Sequence, residues 1–228
     1  MLSSDFDGHN RALDAVTGEE EHLMDMIREG EHQQQDFKFR IDSSQKIAKT
    51  LAAFANTDGG RLLIGVKDNG RVAGIDPEEE YYMIEGAAQL YCQPSVEFQA
   101  TVYQFEDKLV LEIEIAASSQ SPHRAKDSDG KWRAYVRQED ENYMANRVLV
   151  SFLEDKKPGK RKNLVNYGKE ERLLFDYLTE HGHISQSKFA RMTGLPLQKA
   201  EKTLALFLKW ELIDWKATEK GIRFYLRA

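Results

Sequence analysis

Residues 52–75 read Ala-Ala-Phe-Ala-Asn-Thr-Asp-Gly-Gly-Arg-Leu-Leu-Ile-Gly-Val-Lys-Asp-Asn-Gly-Arg-Val-Ala-Gly-Ile. They narrow the possible folds more than any other stretch. A helix rich in small residues runs into Asn56-Thr57-Asp58-Gly59-Gly60. A chain leaving a helix there needs a positive φ, which glycine adopts without a Cβ clash. The apolar run Leu62–Val66 follows and reads as a strand. Asp68-Asn69-Gly70 between two apolar segments is hairpin chemistry, so this strand is expected to fold back onto a second one. A turn so tightly specified is expected to shape a site.

The flanking pattern extends the sheet. Thr17 and Glu20 have capping-box spacing, and Leu23, Met26 and Ile27 give the helix after them an apolar stripe. Gln35–Phe39 reads as a strand, and Asp42 or Ser43 as the cap of a helix burying Ile47, Leu51 and Phe54. Pro77 opens a helix carrying Ile84, Ala88 and Tyr91. Val96–Phe105 and Leu109–Ile115 alternate as two long strands joined at Glu106-Asp107. Ala116–Lys131 reads as a polar, mobile loop, in which Ser118, Ser119 and Ser121 have no evident base to activate them. Trp132–Arg137 reads as a strand and Tyr143–Leu153 as a closing helix. The order gives an α+β fold with a mixed, mostly antiparallel sheet.

With 228 residues the chain is long enough for two modest cores. Its start, Met-Leu-Ser-Ser-Asp-Phe-Asp, has neither the basic nor the apolar part of a signal peptide. No run approaches the roughly 20 apolar residues of a membrane span. One cysteine, Cys92, excludes an internal disulfide and a cysteine-rich zinc site. The six histidines show no metal-ligand spacing. These absences lead to the expectation of a cytoplasmic protein with no membrane partner.

The net charge of −6 hides a division. From Lys156 onward there are 16 Lys/Arg against 8 Asp/Glu, leaving 16 against 30 in the first 155 residues. A basic C-terminal quarter on an acidic body suits contact with a polyanion through that quarter. Lys156-Lys157-Pro158-Gly159-Lys160-Arg161-Lys162 breaks the pattern as a basic linker, and Lys160, Arg161 and Lys162 are candidates for phosphate contact. The expected organisation is a flexible N-terminus over 1–16, an α+β domain over 17–155, a linker over 156–167 and a small domain over 168–228.

The last segment predicts three helices and two strands. Glu170–His181 buries Leu173, Leu174, Tyr177 and Leu178. Ser185 caps a short helix with Phe189, Ala190 and Met192, Thr193-Gly194 turns the chain, and Pro196 sits in the first turn of a third helix. That helix buries Ala200, Leu204, Phe207 and Leu208, and Leu212–Trp215 and Ile222–Leu226 form a terminal hairpin. This module resembles the winged helix-turn-helix fold. The resemblance implies DNA contact by the start of the third helix, where Gln198, Lys199 and Lys202 are the candidates, with Arg223 in the wing reaching the backbone.

Residues from about 29 to 153 resemble the Schlafen AlbA-2 family, formerly called a divergent AAA domain. The matching residues are Glu31 with Asp36-Phe37-Lys38, Ala53-Phe54-Ala55-Asn56-Thr57-Asp58-Gly59-Gly60, Leu63-Ile64-Gly65-Val66-Lys67-Asp68-Asn69-Gly70, Gly74, Pro122-His123 and Tyr135-Val136-Arg137. The resemblance implies an α+β domain linked to DNA or RNA. For the family's nucleases it implies a metal cluster at Glu31, Asp36 and Asp68, with Mg or Mn activating water. This chain departs from that pattern twice. Asp36 is a methylene shorter than the family's Glu, and Lys67 stands where the strand's acid is expected, with Asp68 one step later. Asp-Gly-Gly-Arg lacks the phosphate-cradling frame of a nucleotide-binding loop. Lys38 and Arg61 are further candidates for phosphate contact, and Arg137 is a candidate for an ion pair with Asp36 or Asp58. The expectation is a nucleic-acid-binding transcriptional regulator, without cofactor, acting on DNA (with RNA as an alternative) as a homodimer. A metal-dependent nuclease and a non-catalytic assembly module are the alternatives.

Overall fold

The computed structural model describes residues 18–155 and 168–227. The N-terminal segment 1–16 and Thr17, together with the linker over 156–167 and its Lys160, Arg161 and Lys162, lie outside the described residues. The chain divides into two compact units, one from Met1–Ser118 and His123–Asn142, the other from Ser119–Pro122 and Tyr143–Ala228.

In the first unit the elements run α1 (Glu20–Glu29), β1 (Gln35–Lys38), α2 (Ser44–Asn56), β2 (Gly60–Ile64), α3 (Pro77–Leu90), β3 (Cys92–Gln93), β4 (Gln99–Phe105), β5 (Lys108–Ile115), β6 (Arg124–Lys126) and β7 (Trp132–Gln138), and β8 (Glu141–Met144) leads out of it. One four-stranded sheet has the order β1-β2-β5-β4 and a second the order β3-β6-β7-β8. β1 pairs with β2 in parallel, while β2–β5, β5–β4, β3–β6 and β6–β7 are antiparallel. The fold is therefore α+β with mostly antiparallel sheets, in which two sheets replace the single one expected.

Strand alternation divides the core. On β2 and β5, Leu62, Ile64, Leu111, Ile113 and Ile115 face the cluster built around α2 and α3. Leu63 and Val110 point the other way and meet Leu23, Met26, Ile27 and Phe37 beneath α1. Helix α2 is buried on every side, from Ile47 to Asn56 with the exception of half-buried Lys49. Ala48, Ala52, Ala53 and Ala55 leave room for backbone to approach from several directions, which explains the small-residue helix. Ser43 caps it by accepting from the Lys46 N–H, and Asp76 caps α3 in the same way.

Several expectations need correction. Helix α1 has Glu19 at its N-cap with no side-chain cap bond, and the Thr17 of the expected capping box lies outside the described residues. The hairpin after β2 shrinks to a single bridge, Val66 to Val72. Gly65, at φ +100, ends the strand, and its carbonyl takes the Ala73 and Gly74 N–H groups instead of a continuing ladder. The supposed mobile loop 116–131 contains β6 and buries Ser121, His123, Ala125 and Asp127.

The second unit holds α4 (Arg147–Asp155), α5 (Lys169–His181), α6 (Gln186–Thr193), α7 (Leu197–Lys209), β9 (Ile213–Lys216) and β10 (Arg223–Leu226). Helix α4, expected to close the preceding domain, packs on α7, burying Val148, Leu149 and Leu153. A short amphipathic helix goes where apolar surface is offered, and Leu204, Phe207 and Leu208 offer it within this unit. Ser185 caps α6, and Gly194 ends it in the left-handed conformation at φ +71. Pro196 is the N-cap of α7 and not a first-turn residue. β9 and β10 pair from Ile213–Leu226 to Lys216–Arg223, and Ile184 bridges Phe224 through two 2.9 Å bonds.

Candidate functional site

The family-like motifs of the first unit meet around one buried cation. Arg137, on β7, is 1% exposed. Its guanidinium donates to the carbonyls of His32 (3.1 Å) and Gln35 (3.0 Å) and to Asn142 Oδ1 (3.3 Å). It also lies 4.6 Å from the centre of the Phe54 ring and 3.7 Å from Asp36 Oδ1. Burial pushes its basicity down, and the charges of Asp36 and Glu31 hold it up. Of the two expected partners Asp36 pairs with it, whereas Asp58 accepts from Gln33 Nε2 at 2.9 Å.

The neighbouring residues close the same surface from within. Gln33 also donates to the Arg137 carbonyl (3.2 Å) and accepts the Glu139 N–H (2.7 Å), while Gln34 Nε2 donates to the Asp58 carbonyl (2.9 Å). Asn56, at the end of α2, donates to the carbonyls of His123 and Tyr135 and accepts the His123 N–H, each within 2.8 Å. The following glycines are required by close approach. A Cβ on Gly60 would stand 2.4 Å from the Phe54 ring and 2.8 Å from the Gln34 carbonyl, and one on Gly59 2.7 Å from that of Ile115. The Asn-x-x-Gly-Gly signature is a clasp between helix, strand and loop.

The carboxylates expected to gather a metal come together only in part. Glu31 accepts the Phe37 N–H at 2.9 Å and hydrogen-bonds Asp36, and burial raises its pKa with further help from the Asp36 carboxyl. Asp36 is occupied by Lys38 Nζ at 2.7 Å and by Arg137. Asp68 is exposed on the turn after Val66 and does not join them. Among the described residues no three His, Cys, Asp or Glu side chains are grouped to hold a metal ion. β2 ends at Ile64, so Asp68 sits beyond the strand on the exposed turn.

The expected phosphate contacts divide likewise. Lys38 pairs with Asp36, and Arg61 donates to Gln35 Oε1 at 2.6 Å and pairs with Glu29, so each has an internal partner. Arg61, Glu29, His22, His32, Tyr103 and Glu112 belong to a polar cavity of about 610 Å³ beside Gly59 and Gly60. Gln198, Lys199 and Lys202 are exposed on the first two turns of α7, and among the described residues none of their side chains has an internal partner. Arg223, on β10, is half-buried and donates to the Ile222 carbonyl at 3.2 Å.

Sequence reasoning missed two arrangements. Ser118, taken as lacking a base, lies 2.7 Å from Nε2 of His123. His123 Nδ1 is 3.0 Å from the Pro94 carbonyl, which can only accept, so Nδ1 carries the proton and Nε2 accepts from the serine. Burial lowers the pKa of His123 and favours this neutral form. The pair pins the loop, and its only sequence signal was Pro122-His123. The Gln33-Gln34-Gln35 run carried no periodicity and needed the fold to show which backbone it serves.

Comparison with known proteins gives a family. The family described as "Schlafen, AlbA_2" matches residues 31–146, half of the chain, and the chain belongs to that family. Among solved structures it is similar to the DIP2311 protein from Corynebacterium diphtheriae, at 22% identity and a TM-score of 0.41, over 56% of this chain and 28% of that one. It is also similar to the N-terminal domain of a RecG-related protein from Nitrosomonas europaea, at 22% identity and a TM-score of 0.41, over 51% of this chain and 87% of that domain. No curated protein matches. Among the described residues no helix is long and apolar enough to cross a membrane.

Proposed function

We propose that this protein binds nucleic acid, and that it grips duplex DNA through a winged helix formed by α5, α6, α7 and the β9–β10 hairpin. It does so as a homodimeric transcriptional regulator. The observation that carries the reading is the start of α7, three residues after Gly194, where Gln198, Lys199 and Lys202 are exposed together. A helix presented after a short turn, led by amide and ammonium groups, has the shape and donors for the major groove. Lysine supplies phosphate attraction, and Gln198 can pair with an adenine edge. The basic excess from Lys156 onward suits contact with a polyanion. A pair of half-sites would match a two-fold symmetric dimer.

The test is a salt titration of duplex binding by fluorescence anisotropy, comparing the full chain with Lys199→Ala/Lys202→Ala. Losing two phosphate contacts should weaken binding and reduce the log–log salt slope by about 1.8. Both lysines are exposed, so the melting temperature should stay unchanged. Equal affinity and slope in the two proteins would take α7 out of the interface.

A further inference from the structure

The duplex reading leaves the polar cavity beside Gly59 and Gly60 unused. Its floor belongs to the face of the first sheet that carries Leu63 and Val110, which α1 covers. Beyond that cover the same face turns polar. Glu112 stands in register with Leu63 and Thr101, and Glu114 with Arg61 and Gln99. Glu112 and Glu114 are two residues apart on β5, so both carboxylates project to this side, with about 6.8 Å between their Cα atoms.

The charge of the lining is one-sided. Among the described residues Glu29, Asp58, Glu112 and Glu114 contribute carboxylates, and Arg61 alone contributes a permanent cation. Arg61 is engaged by Glu29 and Gln35, so Glu114, its neighbour across the strands, has no ion pair among the described residues. Glu112 is only 8% exposed. The Tyr103 hydroxyl donates to its Oε2 at 2.8 Å and fixes the carboxylate, while Oε1 has no partner among the described residues. Among those residues only Gln186 Nε2 is both fully shielded and unpaired, so Glu112 Oε1 opens into the cavity that Glu112 lines. A carboxylate withdrawn from water with one oxygen unsatisfied is costly until a donor reaches it. The hydroxyl of half-buried Thr101, across from Glu112, adds a second acceptor.

We infer that this cavity binds a linear aliphatic polyamine, with one ammonium group donating to Glu112 Oε1 and the Thr101 hydroxyl and a second reaching Glu114. The spacing of the two carboxylates along the strand is comparable to the span of a four-carbon diamine. An ammonium group brings three donors and no acceptor, which matches a lining of unsatisfied oxygens. A hard divalent cation asks for several converging oxygens, and among the described residues no three acidic or histidine side chains are so grouped. An anion would meet carboxylates and a guanidinium that is already paired. The site lies in the first unit and fills without nucleic acid, so its test stands apart from the α7 face.

Full-length protein is titrated with spermidine by isothermal titration calorimetry at about 0.15 M salt, where weak attraction to scattered surface charge is screened. Glu112→Gln keeps the shape and the Tyr103 bond but removes the charge, and should weaken binding about tenfold. Glu114→Gln, at an exposed position, should weaken it about threefold. Glu78→Gln, exposed on α3 against the other face of the sheet, should leave it unchanged. Butylamine, with a single ammonium group, should bind at least about tenfold more weakly than spermidine. If Glu112→Gln does not fold, Glu114→Gln and butylamine still decide the matter. No heat of spermidine binding, wild-type affinity in Glu112→Gln or Glu114→Gln, an equal loss in Glu78→Gln, or displacement of spermidine by Mg²⁺ at the same concentration would overturn the proposal.

Discussion

The surface around Arg137 and the surface of α7 are both polar, but they dispose of that polarity in opposite ways. Around Arg137 the donors and acceptors of Gln33, Gln34, Asn56, Asp58 and Asp36 are consumed by backbone and by one another. On α7 the amide of Gln198 and the ammonium groups of Lys199 and Lys202 remain in solvent. The conspicuous sequence motif therefore marks structural closure, whereas the proposed contact surface rests on residues of little individual distinction. Family resemblance finds the clasp more readily than the proposed contact surface.

The sharpest way to break this contrast is to remove the hub. Arg137→Leu removes the guanidinium from the His32 and Gln35 carbonyls, which keep only their reciprocal bonds to each other's N–H, and leaves a buried Asp36 with Lys38 and Glu31. It should cost about 3–5 kcal/mol, as expected for breaking a buried charge pair. Hydrogen exchange of α2 amides reads this in the first unit alone, and a loss under about 1 kcal/mol would mean that the guanidinium is not structural. A smaller effect is expected at the glycine pair. Gly60→Ala forces a methyl group against Phe54 and the Gln34 carbonyl and should cost about 1–3 kcal/mol by the same measurement. Gly194→Ala, where a Cβ meets nothing within 4 Å, should cost only the left-handed strain of about 1 kcal/mol. Equal penalties at the two positions would remove the close-approach argument.

The mildest effect concerns pH. Glu31 has a raised pKa in the folded protein, chiefly through burial. Its stabilising contribution is complete below the ordinary carboxylate range and disappears as pH rises through the elevated value. Stability should therefore decline slightly with rising pH just above that range in the wild type, and Glu31→Gln should flatten this segment of a thermal-melt series. An unaltered profile would mean that Glu31 titrates as it does in the unfolded chain.

Much of the fold was legible because local chemistry and tertiary context agreed. A cap at Asp42 or Ser43, the paired glycines and the β4–β5 alternation each follow from spacing and turn residues, and Ser43 is the residue that caps. The failures have physical causes. One positive-φ glycine, Gly65, cut short a hairpin that Asp68-Asn69-Gly70 advertised. The loop 116–131 looked polar because its polar groups serve internal partners, with Asp127 accepting from the Asp129 and Lys131 N–H groups and from Arg133. Helix α4 carries an apolar stripe that does not name its partner. Of the site, the pairing of Asp36 with Arg137 could be anticipated. The seclusion of Lys38 and Arg61 could not, because it depends on Glu29, Gln35 and Asp36 arriving from elsewhere in the chain.

Helix α2 has no solvent-facing stripe, and strands of both sheets lie against it. A helix enclosed in this way leaves no shear plane along which one sheet could slide past the other. A substitution along α2 should therefore be felt by both sheets at once.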